Sequence, residues 1–417
     1  MGQGYVGLPL AMAAVNAGHT VTGYEPDKQR LDQLREGRSY VEDIPDKELR
    51  AALDSRRYMP TRSEAYLADF DVAVITVPTP LTDRQPDLRH VREATTVLAR
   101  HLKAGALVVL ESTTHPGTTR DVVVPVLEQA TGWTAGADFH VGFSPERIDP
   151  GNRVWTFENT PKIVAGLTPR CRDKAEEFYR TVTKNVVLAD ALEEAELAKV
   201  FENTYRQVNI ALVNELQRLA HVLGVDVWRT LGLADSKPFG FTRFLPGPGV
   251  GGHCLPVDPV FLSHHTRTQH GETFRIVELA QDINDSQPAY VVQRLQDTLN
   301  GRFHRGVYGA RILALGLAYK AGTADHRESP AAQVVSLLES KGALVDCLDP
   351  HVPPAAVGAS PKVFGPHTTP PWPLRDYDAV VLLTPHDEFD LQHIAAEAAY
   401  VLDTRGVMPD APNIERL

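Results

Sequence analysis

The chain has 417 residues, 43% of them hydrophobic and 23% charged, which is typical of a globular protein with two or three domains. Its formal net charge of −11 excludes a general affinity for nucleic acid or anionic membrane surfaces. Cys171, Cys254 and Cys347 lie far apart, which indicates a reduced protein without disulfides, and no pair of them has metal-ligand spacing. With no apolar run of membrane-spanning length and no signal peptide, we expect a cytoplasmic protein without a bound metal.

Residues 2–7 read GQGYVG and precede an apolar, alanine-rich stretch that predicts a helix. A short β-branched run then ends in Glu25, which completes the G-x-G-x-x-G dinucleotide fingerprint. The first two glycines allow a tight turn and close approach to a pyrophosphate, and the third lets helix and strand pack. Because Glu25 can accept from ribose hydroxyls and would repel a 2′-phosphate, the pattern predicts NAD as the cofactor.

The fingerprint should follow the first strand of its sheet, but Met1 directly precedes Gly2. A parallel sheet without that strand leaves the neighbouring strand edges unpaired, which is costly. We therefore expect that the natural start lies upstream of Met1 or that the chain is truncated. Binding of NAD is expected to depend on the missing strand.

Further strand and helix alternation follows in the first half of the chain. Residues 71–77 predict a buried strand, and 87–103 predicts a helix. The segments 106–119 and 140–152 each predict a strand that runs into a polar turn. Polar residues stand just after each strand, in the order Thr79, Thr113 and Glu146. Because ligands bind beyond the carboxyl ends of parallel strands, we expect these residues to line a site.

The stretch 191–225 has apolar residues at intervals of three and four and no proline, which predicts a long helix. Lys199 and Asn203 share one face of it, although a solvated polar pair is the alternative interpretation. The glycine-rich loop 244–259, FLPGPGVGGHCLPVDP, then carries Cys254 and, four residues later, Asp258. Such a loop can bring backbone N–H groups and a thiol close to a ligand, although an ordinary turn is the alternative.

From residue 311 the alternation of strands and helices resumes, with predicted strands near 311–319, 343–350, 378–385 and 400–406 and a helix over 331–341. The proline-rich stretch 351–375 is expected to be a surface loop. The fold class is therefore α/β, with two Rossmann-like doubly wound domains joined by a long central helix and a helical middle domain. The predicted domains are 1–190, 191–300 and 301–417.

Several motifs together resemble those of the UDP-glucose/GDP-mannose dehydrogenase family, the nucleotide-sugar 6-dehydrogenases. In chain order they read GQGYVGLPLA, VPTPL, ESTTHPGTT, FSPERIDPGN, ENTYRQVNIALVNE, GPGVGGHCLPVDP, GLAYKAGTADHRESP and DTRG. The wording of GGHCLPVDP and SPERIDPGN is similar to the branch acting on UDP-N-acetylhexosamines. The UDP-glucose branch typically has Lys where Val257 stands and a second Glu near Pro150.

The resemblance implies a four-electron oxidation of the sugar C6 hydroxymethyl group by two NAD⁺, giving a uronic acid for polysaccharide biosynthesis. Cys254 would be the nucleophile that forms a thiohemiacetal and then a thioester, with Lys199 and Asn203 at the reacting oxygen. Asp258 would order water or accept protons. Glu146 would serve hydrolysis, with Thr113 positioning water.

The same resemblance implies binding roles. The residues matching family contacts to NAD are Gly4, Val6, Gly7, Glu25, Arg30, Thr79, Thr113 and Arg327. Those matching or neighbouring substrate contacts are Glu146, Arg147, Lys199, Asn203, Arg206, Gly249, Gly251, Gly252, His253, Lys320 and Arg405. Packing or a surface position is an equal alternative for Arg147, Arg206 and His253, and a structural salt bridge for Arg405. Family members dimerise through the long helix, so a homodimer is implied.

Alternatives remain at this point. UDP-glucose and GDP-mannose are alternative substrates. A two-electron hydroxyacid dehydrogenase shares the G-x-G opening and a helix Lys and Asn, but it has no use for Cys254 or for a third domain. An inactive binding protein is a third interpretation, suggested by the missing first strand.

Overall fold

The computed structural model describes residues 1–41, 43–82, 85–148, 152, 154–252, 255–353, 362–364 and 373–417. The chain divides into two compact units, one formed by Met1–Glu202 with Val260–Glu272 and the other by Asn203–Pro259 with Thr273–Leu417. Both contain parallel sheets with helices between the strands, so the predicted α/β class is confirmed. Among the described residues, no helix combines the length and apolar character that a membrane span needs.

The first unit has two parallel sheet fragments, of strand order β1-β2 and β3-β6-β7-β8-β9, with only β7 and β8 antiparallel, and a short β4-β5 ribbon. Its strands are β1 Val21–Tyr24, β2 Tyr58–Thr61, β3 Val72–Ile75, β4 Leu81–Thr82, β5 Gln85–Pro86, β6 Leu107–Leu110, β7 His140–Phe143, β8 Lys162–Gly166 and β9 Val186–Leu188. Its helices are α1 Gly7–Asn16, α2 Lys28–Arg35, α3 Asp46–Asp54, α4 Arg89–Ala99, α5 Val124–Thr131 and α6 Pro169–Val182.

Met1 and Gly2 stand between the two sheet fragments of this unit. The Met1 amine donates to the Val74 carbonyl of β3 at 2.8 Å, and the Gly2 amide donates to the Tyr24 carbonyl of β1 at 2.8 Å. In the other direction, the Thr76 amide donates to the Met1 carbonyl. These two residues therefore make the hydrogen bonds that the end of a central parallel strand would make.

The edges of β1 and β3 face a cavity of about 960 Å³ beside Met1. Leu10 and Ala14 of α1 and Leu107 of β6 are among the apolar residues that line it. Burial of the Met1 amine in this region lowers its pKa to about 6, against the attraction of Glu25 and Glu111. An amine that is largely neutral near pH 7 thus occupies a place suited to a peptide group.

The second unit has one six-stranded parallel sheet of order β12-β11-β10-β13-β14-β15, the 3-2-1-4-5-6 order of a doubly wound fold. Its strands are β10 Arg311–Leu315, β11 Leu344–Leu348, β12 Lys362–Phe364, β13 Ala379–Leu382, β14 Val401–Asp403 and β15 Ile414–Arg416. Its helices are α8 Val227–Asp235, α10 Arg275–Asp285, α11 Gln287–Phe303, α12 Pro330–Ser340 and α13 Leu391–Glu397. The strand β10 pairs with β11 on one side and β13 on the other, which is the arrangement that the first unit lacks.

One prediction for this unit was wrong. The stretch 351–375 is not entirely loop, because Lys362–Phe364 forms the edge strand β12 and Leu374–Asp376 forms a 3₁₀ turn. The short strand gains its regular structure from pairing with β11, a contact that composition and periodicity do not reveal. Residues 354–361 and 365–372 lie outside the described part of the chain.

The predicted long helix is confirmed as α7, Leu192–Val222, which runs from the first unit into the second. Glu193 and Glu194 stand in its first turn, where acidic side chains interact favourably with the helix dipole. It ends before Gly224, whose φ of 67° is readily adopted by glycine. A further helix that crosses between the units, α9, spans Asp258–His270.

The open strand edges give a testable prediction. An extension of five β-branched residues before Met1 should pair with β1 and β3, fill the cavity and raise the thermal midpoint of unfolding by roughly 5 °C or more. The measurement is thermal unfolding by circular dichroism, with amide hydrogen exchange across 21–24 and 72–75. An extension of equal length with proline at its centre is the matched control, because proline cannot donate in the ladder. Equal midpoints for the two extensions would contradict the prediction.

Candidate active site

The glycine fingerprint forms the turn that leads into α1. Gly2 has φ of 87°, and a Cβ on Gly7 would lie 2.0 Å from the Gly2 carbonyl oxygen, so the turn and the helix packing require these glycines. A Cβ on Gly4 would meet no atom within 4 Å. Gly4 therefore leaves open space at the amino end of α1, and this turn fits a bound dinucleotide pyrophosphate. Val6 stands at the N-cap of α1.

Glu25 lies directly after β1 and is buried. Its carboxylate accepts from the Gln3 amide at 2.9 Å and from the Asp27 amide at 3.0 Å, which fixes it beside the glycine turn. Arg30, in the first turn of α2, is exposed and lies over the ring of Tyr40. Both residues are thus at the carboxyl end of β1, where the ribose of a dinucleotide would bind.

The loops after β3 and β6 carry Thr79 and Thr113. Thr79 is buried and Thr113 half-buried. The second loop continues to a turn that is held by Glu196 of α7, which accepts from the Gly117 amide at 2.6 Å and from the Thr119 amide at 2.8 Å. Burial raises the pKa of Glu196 to about 7, although these donors favour its charged form.

Glu146 follows β7 and is held by three donors. One carboxylate oxygen accepts from the amides of Arg147 and Ile148, and the other lies 2.9 Å from the Lys162 ammonium. Burial opposes ionisation of Glu146, but Lys162 and the two amides outweigh it and hold its pKa below the usual value. Glu146 is therefore a carboxylate of fixed orientation that stays ionised near neutral pH.

The buried face of α7 carries polar side chains among its apolar ones. Its buried charged and amide side chains are those of Glu196, Lys199, Asn203, Gln207, Asn214 and Gln217. Except for Lys199, each has a hydrogen-bond partner in the described part of the chain. The Lys199 ammonium has neither a hydrogen bond nor an ion pair with any described residue.

Asn203 donates from Nδ2 to Oδ2 of Asp258 at 2.5 Å, and both side chains are buried. This hydrogen bond joins the central helix to the end of the glycine-rich loop within the second unit. The predicted nucleophile Cys254 and its neighbour His253 lie outside the described residues. Their predicted roles therefore stay predictions.

The glycines of that loop pack closely against the second unit. A Cβ on Gly251 would come within 2.9 Å of Tyr319, Glu328 and Pro330 atoms, and a Cβ on Gly249 would lie 2.9 Å from Pro330. The Gly252 amide donates to the Arg327 carbonyl at 3.3 Å. Packing thus supplies one reason for the glycines, beside the predicted contact with a nucleotide.

Three basic residues of the second unit stand near the carboxyl ends of its strands. Lys320 follows β10, and Arg405 follows β14 with its Nε donating to the Leu383 carbonyl at 2.6 Å. Burial lowers the pKa of Arg405 to about 10, against the attraction of Asp403. Arg327 makes a two-pronged contact with Asp325, at 2.8 and 2.7 Å.

Of two predicted substrate contacts, Arg147 is engaged by other protein groups and Arg206 is exposed. The guanidinium of Arg147 pairs with Glu202 and donates to the Pro161 carbonyl, so its nitrogens are largely engaged by the protein. Arg206 is exposed on α7. The pairing of Arg147 favours the packing interpretation that its sequence position left open.

The residues that sequence reasoning missed are the partners of the predicted ones. The side chain of Glu146 forms a buried group with Lys162, Glu111 and Tyr179. Glu196 holds the turn at Gly117 and Thr119. Glu111 opens the motif ESTTHPGTT and Glu196 shares a helix face with Lys199, so these two had a weak signal. Lys162 and Tyr179 had none, because only the sheet and α6 bring them to the site.

A possible set of metal ligands, His351, His386 and Glu388, has ligand atoms within 4.8 Å of one another. Both ring nitrogens of His386 are already engaged, one by the Gly322 amide and the other by Asp349. Asp349 also accepts four backbone amides. The group therefore stabilises the turns after β10, β11 and β13 by hydrogen bonding.

Models of the UDP-glucose/GDP-mannose dehydrogenase family match three parts of the chain. The NAD binding domain matches residues 1–183, the central domain 193–286 and the UDP binding domain 313–410. The three matches occur in the order that the sequence motifs implied.

Individual relatives and structures agree. The chain is 33% identical over 418 residues to UDP-N-acetyl-D-mannosamine dehydrogenase of Pyrococcus horikoshii, which covers 99% of this chain and 96% of the relative. It is 34% identical over 424 residues to UDP-N-acetyl-D-glucosamine 6-dehydrogenase of Pseudomonas aeruginosa, covering 97% and 96%. A solved structure of UDP-D-ManNAc dehydrogenase from Pyrococcus horikoshii superposes with a TM-score of 0.90 at 32% identity and covers 100% of this chain and 97% of that chain. Both relatives carry the names of N-acetylhexosamine enzymes, as the loop wording predicted.

The raised pKa of Glu196 gives a prediction of pH-dependent stability. The pKa of Glu196 in the folded protein, about 7, exceeds the reference value of 4.5. Its contribution to the free energy of unfolding is therefore complete below pH 4.5 and is lost as the pH rises through 7. The loss amounts to about 3 kcal/mol. Glu196→Gln should flatten this part of the stability curve, because the amide does not titrate. Urea unfolding between pH 4.5 and 8 measures it. Glu215→Gln, at an exposed position of the same helix, is the control and should retain the wild-type slope.

Proposed function

The chain belongs to the UDP-glucose/GDP-mannose dehydrogenase family, and on that premise we propose that it oxidises C6 of a UDP-N-acetylhexosamine to a carboxylate. It is an NAD-dependent nucleotide-sugar dehydrogenase, an oxidoreductase of α/β fold. Residues 1–190 would bind NAD, 191–300 would carry the nucleophile and 301–417 would bind the UDP moiety.

The observation that best supports this function is the state of Lys199. Lys199 is 8% exposed and its ammonium has no hydrogen bond or ion pair to a described residue, whereas the other charged and amide side chains on the buried face of α7 each have a partner. A substrate oxygen that becomes negative during the reaction would supply the missing partner. Lys199 therefore suits stabilisation of an alkoxide and of a thiohemiacetal oxygen.

The proposed chemistry divides the oxidation into two hydride transfers around one covalent step. NAD⁺, when bound, accepts the hydride in each oxidation. The Cys254 sulfur forms a bond to the aldehyde carbon, and Lys199 with Asn203 holds the oxygen of the resulting thiohemiacetal. The second oxidation gives a thioester. Water then adds to its carbonyl carbon while Glu146 accepts the water proton, and the C–S bond breaks to release the acid and the thiolate.

The choice of sugar rests on the names of the relatives and on the loop that contains Val257. UDP-N-acetylmannosamine and UDP-N-acetylglucosamine are the favoured substrates, and UDP-glucose and GDP-mannose are the alternatives. Incubating the protein with NAD⁺ and each of these four compounds, with detection of NADH by absorbance, distinguishes them.

We also propose a homodimer formed through α7. Its second-unit portion exposes large apolar side chains at heptad spacing, with Tyr205 at 45%, Leu212 at 61% and Leu219 at 54% exposure. Val222 and Leu223 extend the same apolar surface. An apolar stripe of this length on one helix is suited to packing against its copy.

Replacement of the nucleophile tests the covalent mechanism. Cys254→Ser should lower net acid formation by roughly 10³-fold, because a serine hydroxyl is the weaker nucleophile, and should leave NAD⁺ affinity unchanged. The wild type should form two NADH per sugar consumed, and so should the control Cys347→Ala, which changes a cysteine in β11. NADH absorbance and fluorescence titration with NAD⁺ measure both quantities. One NADH per sugar, or full activity of the serine variant, would contradict the mechanism.

Placing a charge on the apolar stripe tests the dimer. Leu212→Glu should halve the mass measured by light scattering, because two like charges would face each other across the helix pair. Leu344→Glu is the matched control, since Leu344 has 62% exposure against 61% for Leu212 but lies at the start of β11. An unchanged mass for Leu212→Glu would exclude this interface.

A further inference from the structure

Four buried ionisable side chains, those of Glu146, Lys162, Glu111 and Tyr179, form a continuous line within the first unit. The Lys162 ammonium, at the start of β8, lies 2.9 Å from Oε2 of Glu146 and 3.1 Å from Oε1 of Glu111. The Tyr179 hydroxyl of α6 donates to the same Glu111 oxygen at 2.5 Å. The side chain of Lys162 is 4% exposed and that of Glu111 0%, so water screens neither.

Two carboxylates share one ammonium here, and a second buried negative charge would be uncompensated. Burial raises the pKa of Glu111, with Glu146 adding to the effect and Lys162 opposing it. A buried charged carboxylate requires hydrogen-bond partners for its oxygens. Oε2 of Glu111 has none among the described residues. The charges therefore balance when Glu111 retains its proton and Glu146 is ionised.

The position of Lys162 is fixed from several sides. Its ammonium lies 5.2 Å from the centre of the Phe157 ring and 5.6 Å from that of Tyr179, both of which favour a cation. The other charges near this line are accounted for. Arg147 pairs with Glu202, and the Met1 amine, whose pKa burial lowers to about 6, is largely neutral near pH 7.

We propose that Lys162 is a positioning residue for Glu146, fixing its orientation and keeping it ionised, while Tyr179 holds a protonated Glu111 on the inner side of the ammonium. This rests on the proposed function, in which Glu146 accepts the proton of the hydrolytic water. Lys162 touches neither sugar nor cofactor in this role. It acts through the protonation state of Glu146, so its loss should alter the pH dependence of the reaction rather than the binding of cofactor.

The first test is the pH profile of the Lys162→Met variant with NAD⁺ and the UDP-sugar that the wild type oxidises. The acid limb of the profile, in which kcat falls as the pH is lowered, should move to a higher pH by at least one unit. At pH 7, kcat should fall about tenfold, while KM for NAD⁺ changes less than twofold. Lys162→Arg should restore the limb toward its wild-type position, because it restores the cation. A kcat that falls equally at every pH would overturn the proposal, since a structural defect has that signature.

A second variant covers the case in which Lys162→Met does not fold. The double variant Lys162→Met/Glu111→Gln loses the carboxyl group of Glu111 together with the ammonium. One buried carboxyl group, that of Glu146, then remains, whereas Lys162→Met alone keeps two. The double variant should fold, show the same upward shift of the acid limb and retain NAD⁺ affinity. An acid limb in the wild-type position would overturn the proposal.

A titration without substrate separates this proposal from the proposed function. The protein is labelled with ¹³C at the glutamate carboxyl carbons, and the Glu146 signal is assigned by comparison with Glu146→Gln. In a pH titration, the Glu146 signal should give a pKa below that of free glutamate. In the double variant it should titrate at least one pH unit higher. Equal titration in both proteins would overturn the role of Lys162 even if the sugar is oxidised. If no sugar is oxidised but the shift is observed, the proposed function fails and the positioning role stands.

Discussion

Hydrogen bonding between buried polar side chains is the constraint on which the architecture around α7 depends. This helix carries amides and a carboxylate on its buried face, so each neighbouring element must present a complementary group at a matching height. Asp258 meets Asn203, Gln281 meets Gln207, and Asn284 meets Asn214. Such pairing fixes the register of helix against helix more narrowly than apolar packing would, because a shift of one residue would leave several groups without partners. Lys199 lies on the same helix face and has no partner among the described residues, and it is the residue that we propose for the reacting oxygen.

The two doubly wound sheets show how much a central strand contributes. In the second unit β10 lies between β11 and β13, and its peptide groups bond on both sides. Among the described residues of the first unit, only Met1 and Gly2 make equivalent bonds, and β1 and β3 otherwise face a cavity. The glycine turn nevertheless keeps its geometry, because Gly2 is bonded to Tyr24 and the Gln3 carbonyl accepts from Tyr40. Local hydrogen bonds therefore hold the dinucleotide turn in place beside an incomplete sheet.

Buried charge is used in two different ways in the first unit. Glu196 is held by backbone amides at a turn, and burial, with a smaller contribution from Glu193, moves its pKa toward neutrality. Glu146 is equally enclosed but has an ammonium beside it, and its pKa moves in the opposite direction. The contrast follows from the identity of the donor, because a fixed cation compensates the desolvation of a carboxylate more fully than neutral amides do.

The sequence by itself determined the fold class, the cofactor and the long helix, because glycine spacing, strand alternation and helical periodicity are local properties. It also predicted the family, through motifs whose order is a linear feature of the chain. Only the tertiary structure decided which partners those residues have. Lys162 and Tyr179 reach Glu146 through sheet pairing and helix packing, and Arg147 turns to Glu202, none of which leaves a trace in local spacing. The edge strand Lys362–Phe364 likewise exists because β11 offers it a partner, and pairing between distant segments is a property of the folded chain alone.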